Sequence, residues 1–139
     1  MNMSSTRAAV PAQTVAKLRS LCLELPEVHE EAAWVGTRWR IRTHTFAHVL
    51  MVASGWPPAY ARAARSDGPI SVLTFRSPLP ALDAFAYTWD PCFRPGWFPN
   101  IVGMRLDGAT DWDEVASLMR VSYRLLAPKK LAEAVGQAR

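Results

Sequence analysis

The sequence predicts an α+β fold in which an antiparallel sheet carries helices on one side. Three observations lead there. Two strand-like stretches, the alternating Arg38–Arg42 and the apolar Phe46–Ala53, follow one another directly instead of alternating with helices. Stretches with helical period, Gln13–Leu25 and the one opened by Asp111, stand towards either end. At 139 residues the chain fits one domain, which hides roughly two-thirds of its unfolded surface without a disulfide or metal.

Val15, Leu18, Leu21, Cys22 and Leu25 share one face of the first helix, and Pro26 stops it. Glu27–Gly36 has no clear period and is read as a connecting loop. Arg38-Trp39-Arg40-Ile41-Arg42 alternates strictly, so Trp39 and Ile41 face the core and the arginines face away. A short Thr43-His44-Thr45 link joins it to Phe46–Ala53, a hairpin. Gly55–Gly68, rich in Pro, Ala and Arg, reads as an exposed excursion, and the β-branched run Ile70–Phe75 as a third strand. Pro78–Tyr87 looks helical, with proline in its first turn. The aromatic, Pro-rich Trp89–Pro99 reads as a loop holding a short edge strand within Phe93–Phe98. Ile101–Leu106 is a strand closed by Asp107-Gly108. Asp111 with Glu114 three residues later marks the start of the last helix, which Pro128 ends.

Hydrophobic residues make up 50% and charged residues 20%, a balance that excludes a disordered chain. The two cysteines, Cys22 and Cys92, lack C-x-x-C spacing; Cys22 is expected buried and Cys92 in an exposed loop. Residues 1–12 read as a flexible polar tail and 13–139 as a single domain. The longest clean apolar run, Val49–Ala53, is too short to span a bilayer, so a cytoplasmic location without a membrane partner is expected.

The net charge is +4, with a pI of about 9.5. Residues 28–65 hold five Arg against two Glu, whereas residues 66–110 hold three Arg against four Asp. The excess is therefore local. Arg38, Arg40 and Arg42 would project from one strand face about 6.5–7 Å apart, close to the phosphate spacing of a nucleic-acid strand. The plainer reading is a solvated face paired with Glu30 and Glu31, which suit ion pairs better than acid–base chemistry.

His29, His44 and His48 show no metal-binding spacing, so neither a metal nor a cofactor is expected. Nucleophile elbows and phosphate loops are likewise missing from the sequence. Trp56, Trp89 and Trp97 stand in loops, where they either pack or line an apolar pocket.

Three ordered segments resemble the MmcQ/YjbR family of small bacterial proteins. The first is Leu21-Cys22-Leu23-Glu24-Leu25-Pro26 with Val28-His29-Glu30-Glu31 and Trp34-x-Gly36. The second is Trp39-Arg40-Ile41-Arg42 leading into Thr45-Phe46-Ala47. The third runs from Arg105-Leu106-Asp107 and Asp111-Trp112-Asp113-Glu114-Val115 to Ser122-Tyr123-Arg124-Leu125 and Ala127-Pro128-Lys129-Lys130. This chain departs where the family often has Lys before the Phe-Ala of the hairpin, here His44-Thr45, and Trp opening the late strand, here Ile101. The resemblance implies a two-layer sandwich of the order α-β3-α-β2-α, similar to CyaY-like and secretion-chaperone-like folds, and DNA binding through a double-wing arrangement.

The first functional expectation is thus non-catalytic binding of the DNA backbone. Arg38, Arg40 and Arg42 would contact phosphates, with Arg120, Arg124, Lys129 and Lys130 adding to the field. The alternatives are a small apolar or aromatic ligand held among Trp56, Trp89 and Trp97, and a protein-interaction module. Either a monomer or a homodimer fits the sequence.

Overall fold

The computed structural model describes residues 8–78, 90–97 and 100–136. Helix α1 (Ala12–Leu23) buries Leu18 and Cys22, the face its spacing marks out. The chain then enters strand β1 (Val28–Ala32), antiparallel to β2 (Thr37–Ile41), where a loop was expected. The apolar period is hidden there because charged side chains are matched by partners instead of by hydrocarbon. Val28, Glu30 and Ala32 point towards α1, and His29 and Glu31 towards the other face. Glu30 accepts two bonds from Arg19 of α1, each 2.9 Å, and one from the indole N–H of the fully buried Trp39 at 2.9 Å.

Arg42 takes φ +56 in the turn to β3 (His44–Val52), and Phe46 forms a bulge opposite β2. Gly36, before β2, has φ +78, and a Cβ there would lie 1.9 Å from the Val49 carbonyl oxygen. The Trp34-x-Gly36 segment thus needs glycine for both conformation and clearance.

Strand β4 (Ile70–Arg76) pairs with β3 and with β6 (Ile101–Leu106), and β5 (Cys92–Phe93) adds at the far edge. The sheet is antiparallel throughout, in the order β1-β2-β3-β4-β6-β5. Cys92, expected exposed, is buried beside β6, and burial pushes its thiol up to about 11. Apart from Pro78, the helix expected over Pro78–Tyr87 lies outside the described residues.

Two expectations about the helices are corrected. Helix α2 (Pro58–Ala64) forms inside the supposed excursion, with Pro58 in its first turn and Ala61 and Ala64 buried. It packs on Leu50, Val52, Val72 and Phe93, on the opposite sheet face from α1 and α3 (Trp112–Leu126). Helices on one side alone would leave that second apolar face wet, because β3 and β4 alternate apolar residues onto both faces. Nor is α3 the last helix, for α4 (Lys129–Val135) follows Pro128. Among the described residues, no helix is long and apolar enough to cross a membrane.

The Asp111 side chain caps α3 by accepting from the backbone N–H groups of Asp113 and Glu114. The helix buries Val115, Met119, Ser122 and Tyr123 against the sheet. Tyr123 donates to the Pro26 carbonyl at 2.8 Å and meets Phe46 edge to face. Ser122 Oγ donates to the Phe46 carbonyl at 2.6 Å and accepts from the Arg76 N–H at 2.8 Å. The β3–β4 register ends at Ala47–Phe75, so the hydroxyl carries the connection one residue beyond it.

Replacing Ser122 with Ala leaves a carbonyl and an N–H unmatched, at about 1–3 kcal/mol. Urea unfolding of Ser122→Ala should show a lowered midpoint with an unchanged slope; an unchanged midpoint would refute the bridge. A second outcome concerns Glu30, whose carboxyl is held below its ordinary value, first by the Arg19 bonds. Its contribution is therefore present above the ordinary carboxylate range and fades as pH falls through the lowered folded value. Melting temperatures of wild type and Glu30→Gln should differ most near neutral pH and converge in acid.

Candidate ligand-binding site

Strand alternation sends Arg38, Arg40, His48, Thr74 and Arg76 to the sheet face that also carries α2. The arginine row expected from the sequence is not assembled there. Arg38 bonds to Glu31 at 2.6 Å, and Arg40 lies 3.5 Å from the same carboxylate while donating to the Thr43 carbonyl. Arg42 belongs to the β2–β3 turn and pairs with Glu27 at 2.9 Å. The left-handed turn takes it out of the strand alternation, which is why three arginines do not share one face. Glu31 also meets His29 at 3.2 Å, and the arginines around it, Arg38 foremost, hold its carboxyl below its ordinary value.

The C-terminal cations lie elsewhere. Helices α3 and α4 pack on the sheet face opposite Arg38 and Arg40. Arg124 donates to the carbonyls of Ala132 and Gly136 and so closes α4, and Arg120 reaches Ser117 at 3.4 Å. Lys129 and Lys130 are exposed at the start of α4. Arg38, Arg40, Arg42, Arg120, Arg124, Lys129 and Lys130 therefore do not form one basic surface.

The α2 face holds a cavity of about 370 Å³ instead. Its lining includes Arg38, His48, Thr74 and Arg76 from three neighbouring strands, Tyr60 from α2, and Trp97. His48 meets Tyr60 edge to face with centroids 6.1 Å apart, and Tyr60 meets Trp97 likewise at 4.7 Å. His48 Nε2 lies 2.6 Å from the Val35 carbonyl, which accepts its proton. Burial lowers the imidazole's proton affinity, the Val35 bond opposes this, and the positive charge of Arg38 adds to the lowering. A neutral ring with a fixed N–H results. Burial raises the Tyr60 phenol, which stays protonated and able to donate. Arg76 reaches Asn100 Oδ1 at 2.8 Å, which steadies its guanidinium beside the cavity.

Of the three tryptophans expected in one pocket, Trp56 and Trp97 border different cavities. Trp97 lines this cavity. Trp56 packs 5.6 Å from Trp34 and borders a neighbouring one, with Trp34, 86% exposed, on the rim of both. Trp89 lies outside the described residues.

His48 has no metal-binding spacing in the sequence, and Tyr60 lies inside the stretch expected to be an exposed excursion. Helical spacing in Pro58-Ala59-Tyr60-Ala61-Arg62-Ala63-Ala64, with proline at its start, was the signal available for α2. Among the described residues no group of three His, Cys, Asp or Glu side chains is placed to hold a metal ion.

The family model described as YjbR matches residues 23–125. No curated protein matches the chain. A crystal structure of the Deinococcus radiodurans protein DR2400, described as a DUF419 domain, is similar over 89% of this chain and 88% of that one. The TM-score is 0.59 and the identity 19%, a likeness of fold. The segments around Leu25-Pro26, Trp34-x-Gly36 and Ser122-Tyr123 fall within the matched residues; Pro26, Ser122 and Tyr123 tie α3 to the sheet side of the chain, and Gly36 gives clearance at Val49. The chain belongs to the MmcQ/YjbR family.

Proposed function

We propose that this chain is a non-catalytic binding protein that takes a small planar ligand into the cavity beside His48. One observation carries the reading: the contiguous His48–Tyr60–Trp97 aromatic series stands over polar groups from three neighbouring strands. A volume of about 370 Å³ lies within the range of small-molecule sites, which pair an apolar lining with a few fixed polar groups. The rings supply flat surface, and the phenol and Thr74 hydroxyl supply hydrogen bonds.

Binding to the DNA backbone retains the net charge of +4 and the exposed Lys129 and Lys130 as support. Its main contacts would have to break the ion pairs of Arg38, Arg40 and Arg42 with Glu31 and Glu27. Those exchanges offset much of the gain from each phosphate.

A fragment library of uncharged planar rings, followed by amide and side-chain NMR, tests the proposal. Binders should shift His48, Tyr60, Thr74 and Trp97 together, with little dependence on salt. Tyr60→Ala and Trp97→Ala should each weaken a hit about tenfold, the equivalent of ~1.4 kcal/mol of lost ring contact. Shifts confined to Lys129, Lys130 and their neighbours on adding duplex DNA, with steep salt dependence, would replace this reading with the other.

A further inference from the structure

On the far side of the Tyr60–Trp97 pair lies a second cavity, of about 660 Å³, with Trp97 in the walls of both. Among the described residues, its charged lining includes Arg62, Arg65 and Arg105 against Asp90. We infer that this cleft holds the phosphoryl group of a ligand whose planar ring occupies the cavity beside His48.

The arginines differ in how firmly they are placed. Arg105, on β6, donates to the Ala64 carbonyl at the end of α2 at 2.7 Å, pairs with Asp90, and sits 6.0 Å over the Phe93 ring. Three contacts in three directions hold its guanidinium before any ligand arrives. Arg62 and Arg65 close α2 and are exposed. Among the described residues neither has a carboxylate within ion-pair distance. Asp67 shares only a shallower cleft with them. The basic side chains on the β2 face are neutralised by Glu31, whereas Arg62 and Arg65 keep their charge for an incoming anion.

Three carbonyls at the end of α2 are already engaged as acceptors. Arg65 N–H bonds the carbonyl of Arg62, Ser66 N–H that of Ala61, and Arg105 that of Ala64. Arginine also matches phosphoryl oxygens two at a time, which a lone lysine does not. The size of the space selects the kind of phosphate. Half-buried Arg105 and buried Cys92 and Phe93 form a concave floor that a compact phosphate ester enters, while a duplex presents its phosphates on a convex rod.

This inference rests on the proposed ring site, and the test separates the two. Calorimetry and NMR on the full chain would use adenosine, inorganic pyrophosphate and adenosine monophosphate as probes. Adenosine should shift His48 and Tyr60, pyrophosphate should shift Arg62, Arg65 and Arg105, and the monophosphate should do both and bind at least tenfold more tightly than adenosine. Arg62→Ala with Arg65→Asn removes both exposed charges and keeps a residue that tolerates the φ of +56 at position 65. This variant should lose the tenfold advantage and retain adenosine binding. Equal affinity for adenosine and its monophosphate, with no response to pyrophosphate, would overturn the phosphoryl site and leave the ring site standing. Pyrophosphate binding without any adenosine shift would overturn the ring site and the linked ligand. Displacement of pyrophosphate by a duplex oligonucleotide with steep salt dependence would overturn the small-ligand inference in favour of nucleic acid.

Discussion

The hydroxyl of Ser122 occupies the place where β3 and β4 cease to pair, accepting from one strand and donating to the other. A helix does not commonly supply a link in a sheet ladder, and this one ties three things together at once. It seats α3 on the sheet, accepts from the Arg76 N–H of β4, and donates to the Phe46 carbonyl of β3. Phe46, Ala47, Phe75 and Arg76, the residues around that link, all border the cavity beside His48. Tyr123, the next residue, fixes the angle of approach by reaching the Pro26 carbonyl across 97 positions of sequence.

Electrostatics then divides the surface. Glu27, Glu30 and Glu31 engage Arg42, Arg19, Arg38 and Arg40, so the arginine row Arg38–Arg42 is matched by carboxylates close at hand. Glu30 has an extra duty, because without its carboxylate the Trp39 indole N–H would be buried unmatched. The cations of α2, in contrast, were placed by the sequence in what looked like an exposed loop. Charge counted along a chain and charge available on its surface are different quantities, and only the second one recruits a ligand.

Much of the fold was legible because its signals are local. The Asp111 cap, the alternation of Trp39 and Ile41 into the core, and the strand Ile101–Leu106 each follow from residues within a few positions of one another. The family resemblance rested on Leu25-Pro26, Gly36 and Ser122-Tyr123, and the structure gives them physical duties: a carbonyl for Tyr123 to reach, clearance at Val49, and a bridge between strands. What escaped was non-local. Strand β1 has no apolar period since its partners are arginines up to 11 residues away. Helix α2 was obscured by its prolines and its short length. Of the candidate site, Trp97 and Arg38 were singled out in advance, but Arg38 for a role its pairing with Glu31 opposes. His48 and Thr74 come together through sheet register and Tyr60 through the packing of α2, neither of which a single stretch reveals.

Among the described residues the sheet is open, with β1 and β5 as its outer strands. One rim belongs to β1, where Glu30 and Glu31 and the arginines paired with them set charge beside the backbone. The other belongs to β5, which is only two residues long and offers an approaching strand almost nothing to align with. Charge at one border and brevity at the other both discourage edge-to-edge addition of further chains. A sheet that is apolar on both faces would otherwise be a template for aggregation, and these two borders let it stay open without growing.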